Sequence, residues 1–125
     1  MSTALDASVT AQQALGEKIC EQLRLSIDKL GFSAEESQNY PVYQQASYQL
    51  IHDPYTGKDN LKVNWLDTHK QRIGFLQFNS DNSFYAEYDV VKPHPKKPQW
   101  FVEAVSAWGD LSDIKTEAKL LAIPE

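Results

Sequence analysis

Apolar residues recur every three or four positions from Ala11 through Leu15, Ile19, Leu23 and Ile27 to Leu30, while Gln13, Glu17, Glu21, Arg24 and Asp28 gather on the opposite side. That is the period of an amphipathic helix, and it predicts one long N-terminal helix over about residues 10–30. Thr10 followed three places on by Gln13 fits a capping box at its start, and Gly31 offers the left-handed residue that ends it. A short turn at the SAEES stretch, 33–37, and the Tyr40-Pro41 step are expected to close the helical part, because the residue before a proline favours extended backbone.

Beyond Pro41 the period changes to two, the repeat of a strand with one buried face, and the turns fix its pairing. In HDPYTGK, 52–58, Pro54 presets φ, Asp53 bonds the turn amides and Gly57 takes the positive φ. The stretch resembles the Asp-Pro-x-Thr-Gly turn of miniature designed hairpins, over this one turn only. Pairing Asp53 with Lys58 sets Leu50 against Leu61, Tyr48 against Val63 and Ala46 against Trp65 on an apolar face, with Gln49–Lys62 and Ser47–Asn64 on the other. A connection at DTHK, 67–70, pairs Leu66 with Gln71, which sets Val63 against Gly74 and Leu61 against Leu76. In NSDNS, 79–83, Asn82 suits a positive φ, so a bulged type I turn pairs Asn79 with Ser83 and brings Phe78 to Phe84 and Leu76 to Ala86. Tyr85, Glu87 and Asp89 then point away from the apolar side, together with Ile73, Phe75 and Gln77.

Three prolines exclude PHPKKP, 93–98, from a central strand. In QWFVEAVSAW, 99–108, the cost of burying an unpaired Glu103 settles the parity: Trp100, Val102, Ala104 and Trp108 inward, Phe101, Glu103 and Val105 outward. Glu103 then comes level with Glu87. The last segment contains good helix formers, yet Ile114, Ala118 and Leu120 alternate with Lys115, Glu117 and Lys119, and the alternation favours a strand whose Lys119 meets Glu103 across a GDLSD hairpin. The expected fold is α+β: one helix on a curled, mostly antiparallel meander of five or six strands, about 45–121, in a single domain spanning 1–125. Six strands about 4.8 Å apart make a sheet roughly 25 Å wide, and a helix about 10–12 Å in diameter cannot cover it flat. The sheet must therefore curl or leave apolar surface for something else.

Composition changes this picture little. With 42% hydrophobic and 23% charged residues the chain is of ordinary globular make-up. A net charge of −5 and a pI near 5.1 argue against nucleic acid, whose phosphates demand a basic stripe. No signal-peptide pattern and no membrane-length apolar run occur, and the lone Cys20, read as an inert thiol at the helix margin, fits a reducing cytoplasm. No zinc-type cysteine pair, His-Glu-x-x-His, Gly-x-Ser-x-Gly, phosphate loop or dinucleotide fingerprint is present, so no cofactor is expected and enzymatic activity is not favoured.

Glu87, Asp89 and Glu103 are the sharpest chemical candidate, because facing carboxylates repel and raise one pKa. Solvated carboxylates, with Glu103 tied to Lys119, are the plainer reading. His52, His69 and His94 fall in separate turns and share no ligand spacing, so no metal site is expected. His94, between prolines and beside Lys96 and Lys97, is the one suited to an anionic partner. The leading functional expectation is a cytoplasmic, non-enzymatic binding module. Its sheet face opposite the helix, centred on Phe75, Tyr85 and Phe101 and rimmed by Glu87, Asp89 and Glu103, would dock a protein partner or a second copy. The alternative is a small-molecule binder or small enzyme with an aromatic pocket between helix and sheet, lined by Tyr48, Trp65, Tyr88 and Trp100 with Arg72 at one end.

Overall fold

The computed structural model describes residues 3–32 and 41–124, with side chains from residue 9 onward. Helix α1 (Thr3–Lys29) leads through a 3-10 turn at Tyr43–Gln45 into β1 (Ser47–His52), β2 (Asp59–Leu66), β3 (Arg72–Phe78), β4 (Phe84–Pro93), β5 (Trp100–Asp110) and β6 (Asp113–Ala122). The strands form one open antiparallel sheet in the order β1-β2-β3-β4-β5-β6, the expected α+β meander with all six strands present. The SAEES turn and Tyr40 lie outside the described residues.

Helix α1 begins earlier than its pattern suggested, which makes Thr10 an interior residue and not the N-cap. Ala4, Leu5 and Ala7 are good helix formers, and no glycine or proline separates them from the amphipathic stretch. Its other end follows the sequence closely. Gly31 takes φ 98, and the Leu30 and Gly31 amides tighten the last turn by donating to Ile27 and Asp28 carbonyls at 3.1 and 3.0 Å. Leu15, Ile19, Leu23 and Ile27 are buried in the core with Cys20, which belongs to the packed face and not to its margin.

Two turns set register as read. The Asp53 amide donates to the Lys58 carbonyl at 2.8 Å, which gives Leu50↔Leu61 and Tyr48↔Val63. The Asn79 amide donates to the Ser83 carbonyl at 2.9 Å with Asn82 at φ 65, and Phe78↔Phe84 and Leu76↔Ala86 follow.

Two pairings differ from the expectation. Between β2 and β3, Val63 meets Leu76, and Trp65 meets Gly74. The turn closes on Asp67 and Gln71 with Lys70 at φ 61, and Ile73 is an extra residue between the Leu66↔Arg72 and Trp65↔Gly74 pairs. Slipping by two keeps the same side chains inside, so the core survives the difference. Between β4 and β5, Glu87 pairs with Ser106 and Asp89 with Ala104, not with Glu103. Val90 and Val91 bulge opposite Glu103, with Val91 at φ 53, and Glu103 is itself the extra residue against β6. Parity therefore inverts at Glu103. Trp100 and Val102 keep the inward parity expected of them, but beyond the bulge Val105 and Ala107 join the core while Ala104, Ser106 and Trp108 take the outer phase of Asp89, Glu87 and Tyr85.

The core lies between α1 and the concave side of the sheet. Helix α1 approaches β2 on one side and β5 and β6 on the other, so the sheet curls around it. At the bottom of the curl Gly74 leaves room for two rings. A Cβ there would lie 2.7 Å from Tyr88 and 3.3 Å from Trp65, and these rings meet edge to face across it at 5.9 Å.

Candidate functional site

The residues expected to form an outer docking face are only partly brought together. Phe75 and Tyr85 pack at 5.8 Å between centroids, and Arg72 caps Phe75 with its guanidinium 5.0 Å from the ring centre. Glu87 sits beside them, accepting from the Tyr85 hydroxyl at 2.9 Å and from Lys119 Nζ at 2.8 Å. The Lys119 bond is the chief reason that its carboxyl is held below the ordinary carboxylate range. Lys119 therefore serves Glu87, not Glu103 as the sequence suggested. Asp89 is shifted upward, first by partial burial and then by the nearby negative charge of Glu87, with Glu103 adding less. Phe101 lies past the bulge against Pro93 and Leu121, away from the Phe75–Tyr85 pair. His94 is buried, and its Nδ1 accepts from the Lys96 and Lys97 amides at 3.1 Å each. It ties the proline loop together, so its ring is turned into the protein and not out toward an anionic partner.

The expected aromatic pocket is occupied by its own walls. Trp65 and Tyr88 are 4% and 2% exposed and pack against each other. Arg72 is engaged with Phe75 on the other side of the sheet, and Tyr48 belongs to the first strand, where its hydroxyl donates to the Tyr43 carbonyl. Cys20 donates its thiol to the Pro41 carbonyl at 3.0 Å, and burial pushes its pKa up to about 11, so it stays protonated and unreactive at neutral pH. Among the described residues no three His, Cys, Asp or Glu side chains come together as metal ligands, and no helix is long and apolar enough to cross a membrane.

The sequence pattern placed β1 inside, and the structure leaves it out. Tyr48 and Leu50 continue the apolar row of Val63 and Leu61, yet they are 42% and 48% exposed, because α1 packs chiefly on β2, β5 and β6. On the opposite side of the same strand Ile51 is 37% exposed. Between the start of the helix and this strand runs an open groove of about 460 Å³, lined by Val9, Gln13, Tyr48, Gln49, Leu50 and Leu61. Among the described residues its polar side-chain groups are the amides of Gln13 and Gln49 and the Tyr48 hydroxyl, which is turned to the Tyr43 carbonyl.

Among the described residues no strand pairs with the outer rim of β1, and that rim has a defined hydrogen-bonding phase. The Asp53–Lys58 bond closes the hairpin, and antiparallel ladders alternate bonded with non-bonded pairs. Ile51, Gln49 and Ser47 therefore bond to β2. The backbone groups of Tyr48, Leu50 and His52 face outward. Nothing on this rim repels another strand: SYQLIH carries no Lys, Asp, Glu, Arg or Pro, and its His52 is engaged with Asp59 at 2.8 Å. The opposite rim, β6, carries Lys115, Glu117 and Lys119 and is followed by Pro124, which are the devices by which sheets keep further strands away. No family model, curated protein or solved structure matches the chain.

Proposed function

We propose that this chain is a non-enzymatic docking module, resident in the cytoplasm, that takes up an extended protein segment along the β1 rim. The observation that carries the reading is the exposure of every β1 residue, three of them large and apolar, on a strand with outward-facing backbone groups and no guarding charge. An added strand would gain main-chain bonds to Tyr48, Leu50 and His52, and every second side chain would reach the groove between β1 and α1. The lone, protonated Cys20 suits a reducing compartment. Acid-base catalysis has little to work with, since Glu87 is held by Lys119 and Tyr85 and His94 by its own loop.

The sheet face opposite the helix is the second reading. It is favoured by Tyr85, which stays 37% exposed over Phe75 and beside Glu87 and Asp89. Selection from a displayed library of random peptides, with the whole chain as bait, separates the two. The rim reading expects enriched peptides with alternating apolar residues whose binding drops at least about tenfold with Leu50→Lys and is unchanged by Tyr85→Lys. The reverse pattern would move the site to the outer face. Peptides indifferent to both substitutions, or no enrichment at all, would refute both.

A further inference from the structure

We infer that the strand taken up by the β1 rim is the β1 rim of a second copy of this chain, antiparallel about a two-fold axis, with Leu50 opposite the partner's Leu50. The inference rests on the docking reading above and names its partner. Its first support is phase. Only Tyr48, Leu50 and His52 present backbone groups outward, so a symmetric pairing must match even positions with even ones. Centring on Leu50 meets that condition and sets Tyr48 beside the partner's His52 and Gln49 beside the partner's Ile51. No pair in this register juxtaposes like charges.

Side-chain parity is the second support. Even positions of β1 lie on the helix side, so the two Leu50 side chains, each 48% exposed in one copy, come together beside both grooves. The apolar row Val63–Tyr48 and Leu61–Leu50 then continues across the junction instead of ending in water. Net charge is the third. At −5 per copy, two chains repel over most of their surface, and the strand without a formal charge is where they approach at least cost. Closure is the fourth. A two-fold contact uses the one unguarded rim in both copies and leaves outward only the two charged β6 rims, so assembly stops at a dimer and does not grow into a fibre.

The test uses the whole chain. Sedimentation velocity from micromolar to millimolar concentration should show a monomer–dimer equilibrium, and Leu50→Lys should return it to monomer. Leu50→Pro should do the same without loss of fold, because the amide it removes points away from β2. Amide exchange by NMR at both ends of the series reads the register. The Tyr48, Leu50 and His52 amides should slow by at least about tenfold on dimerisation, while those of Gln49 and Ile51, bonded to β2 in either state, should not change. A dimer in which the even amides exchange as fast as in the monomer would overturn the inference. A chain that stays monomeric but still selects alternating peptides through Leu50 overturns it too and leaves the docking reading standing. A monomer that selects none removes both.

Discussion

Replacing Gln12 with alanine should cost this fold far more than any change to its neighbour Gln13. Gln12 is 1% exposed on the buried side of α1. Its Oε1 accepts the Leu61 amide at 2.7 Å, and its Nε2 donates to the side-chain oxygens of Asn60 and Asn82 at 3.1 Å each. Asn60 donates onward to Ser80 at 2.9 Å, and the Ser80 hydroxyl donates to Asp53 at 2.8 Å. One amide thus joins the helix to the start of β2 and to the β1–β2 and β3–β4 hairpin turns. The substitution breaks three hydrogen bonds, each contributing about 1 kcal/mol net, and leaves the Leu61 amide buried without a partner at a further 1 kcal/mol or so. Water reaching half-buried Asn82 recovers part of this, which leaves about 3 kcal/mol out of the 5–15 kcal/mol typical of a domain. Urea unfolding followed by tryptophan fluorescence is the assay, and the midpoint should fall by about 1.5 M for a slope near 2 kcal/mol/M. Gln13→Ala, on the exposed side, should stay within about 0.5 kcal/mol of the parent. A Gln12→Ala loss below about 1 kcal/mol would refute the reasoning, because the network would then be replaceable by water.

Two further substitutions probe the outer side of the sheet. With the carboxyl of Glu87 depressed chiefly by the Lys119 bond, its contribution is present above the unfolded carboxyl pKa and is lost as pH falls through the lower folded value. Lys119→Met should therefore raise the Glu87 titration midpoint seen by carbon NMR, and should destabilise the fold at neutral pH by less than about 1 kcal/mol, since the pair is partly exposed. That difference should vanish at acid pH, and an unmoved Glu87 midpoint would contradict the assignment. Val91→Gly should raise stability by about 1 kcal/mol in thermal unfolding, because a β-branched residue at φ 53 is strained and its side chain is largely exposed, with little packing to lose. A lower melting temperature would mean that the bulge needs the valine side chain.

How far the sequence could be read depended on the chemistry of each turn. The Asp53–Lys58 and Asn79–Ser83 hairpins were legible because Gly57 and Asn82 are residue types that accept positive φ, and they occupy those positions at φ 72 and φ 65. Lys70 and Val91 adopt the same region with no residue preference to announce it. The β2–β3 register was accordingly misjudged by two, and the inner and outer sides of β5 were exchanged from Ala104 onward. Gln12 was missed for a different reason: its partners, Leu61, Asn60 and Asn82, lie far along the chain, and helical periodicity says only which side of the helix a residue occupies. The β1 rim was hidden by its own regularity. Alternation reports that Tyr48 and Leu50 belong to an apolar row, but whether the helix reaches that row depends on how the sheet bends.

That bend connects the misread registers to the docking surface. A strand with an extra residue kinks and twists locally, and the extra residues here fall at Ile73 in β3, at Val90 and Val91 in β4, and at Glu103 in β5. All three sites lie in the middle strands of the sheet, where the curl must be made, and together they let β2 close on one side of α1 and β5 and β6 on the other. A helix about 10–12 Å across fills such a trough and leaves nothing to spare. β1 pairs with β2 without a register shift and continues past the rim of the trough, so its apolar side chains emerge into the open groove beside the helix and stay exposed. The exposed strand is thus a consequence of the same bulges that give the other five strands a shared core, and removing one of them, by flattening the sheet, would alter how β1 is presented even though no residue of β1 had changed.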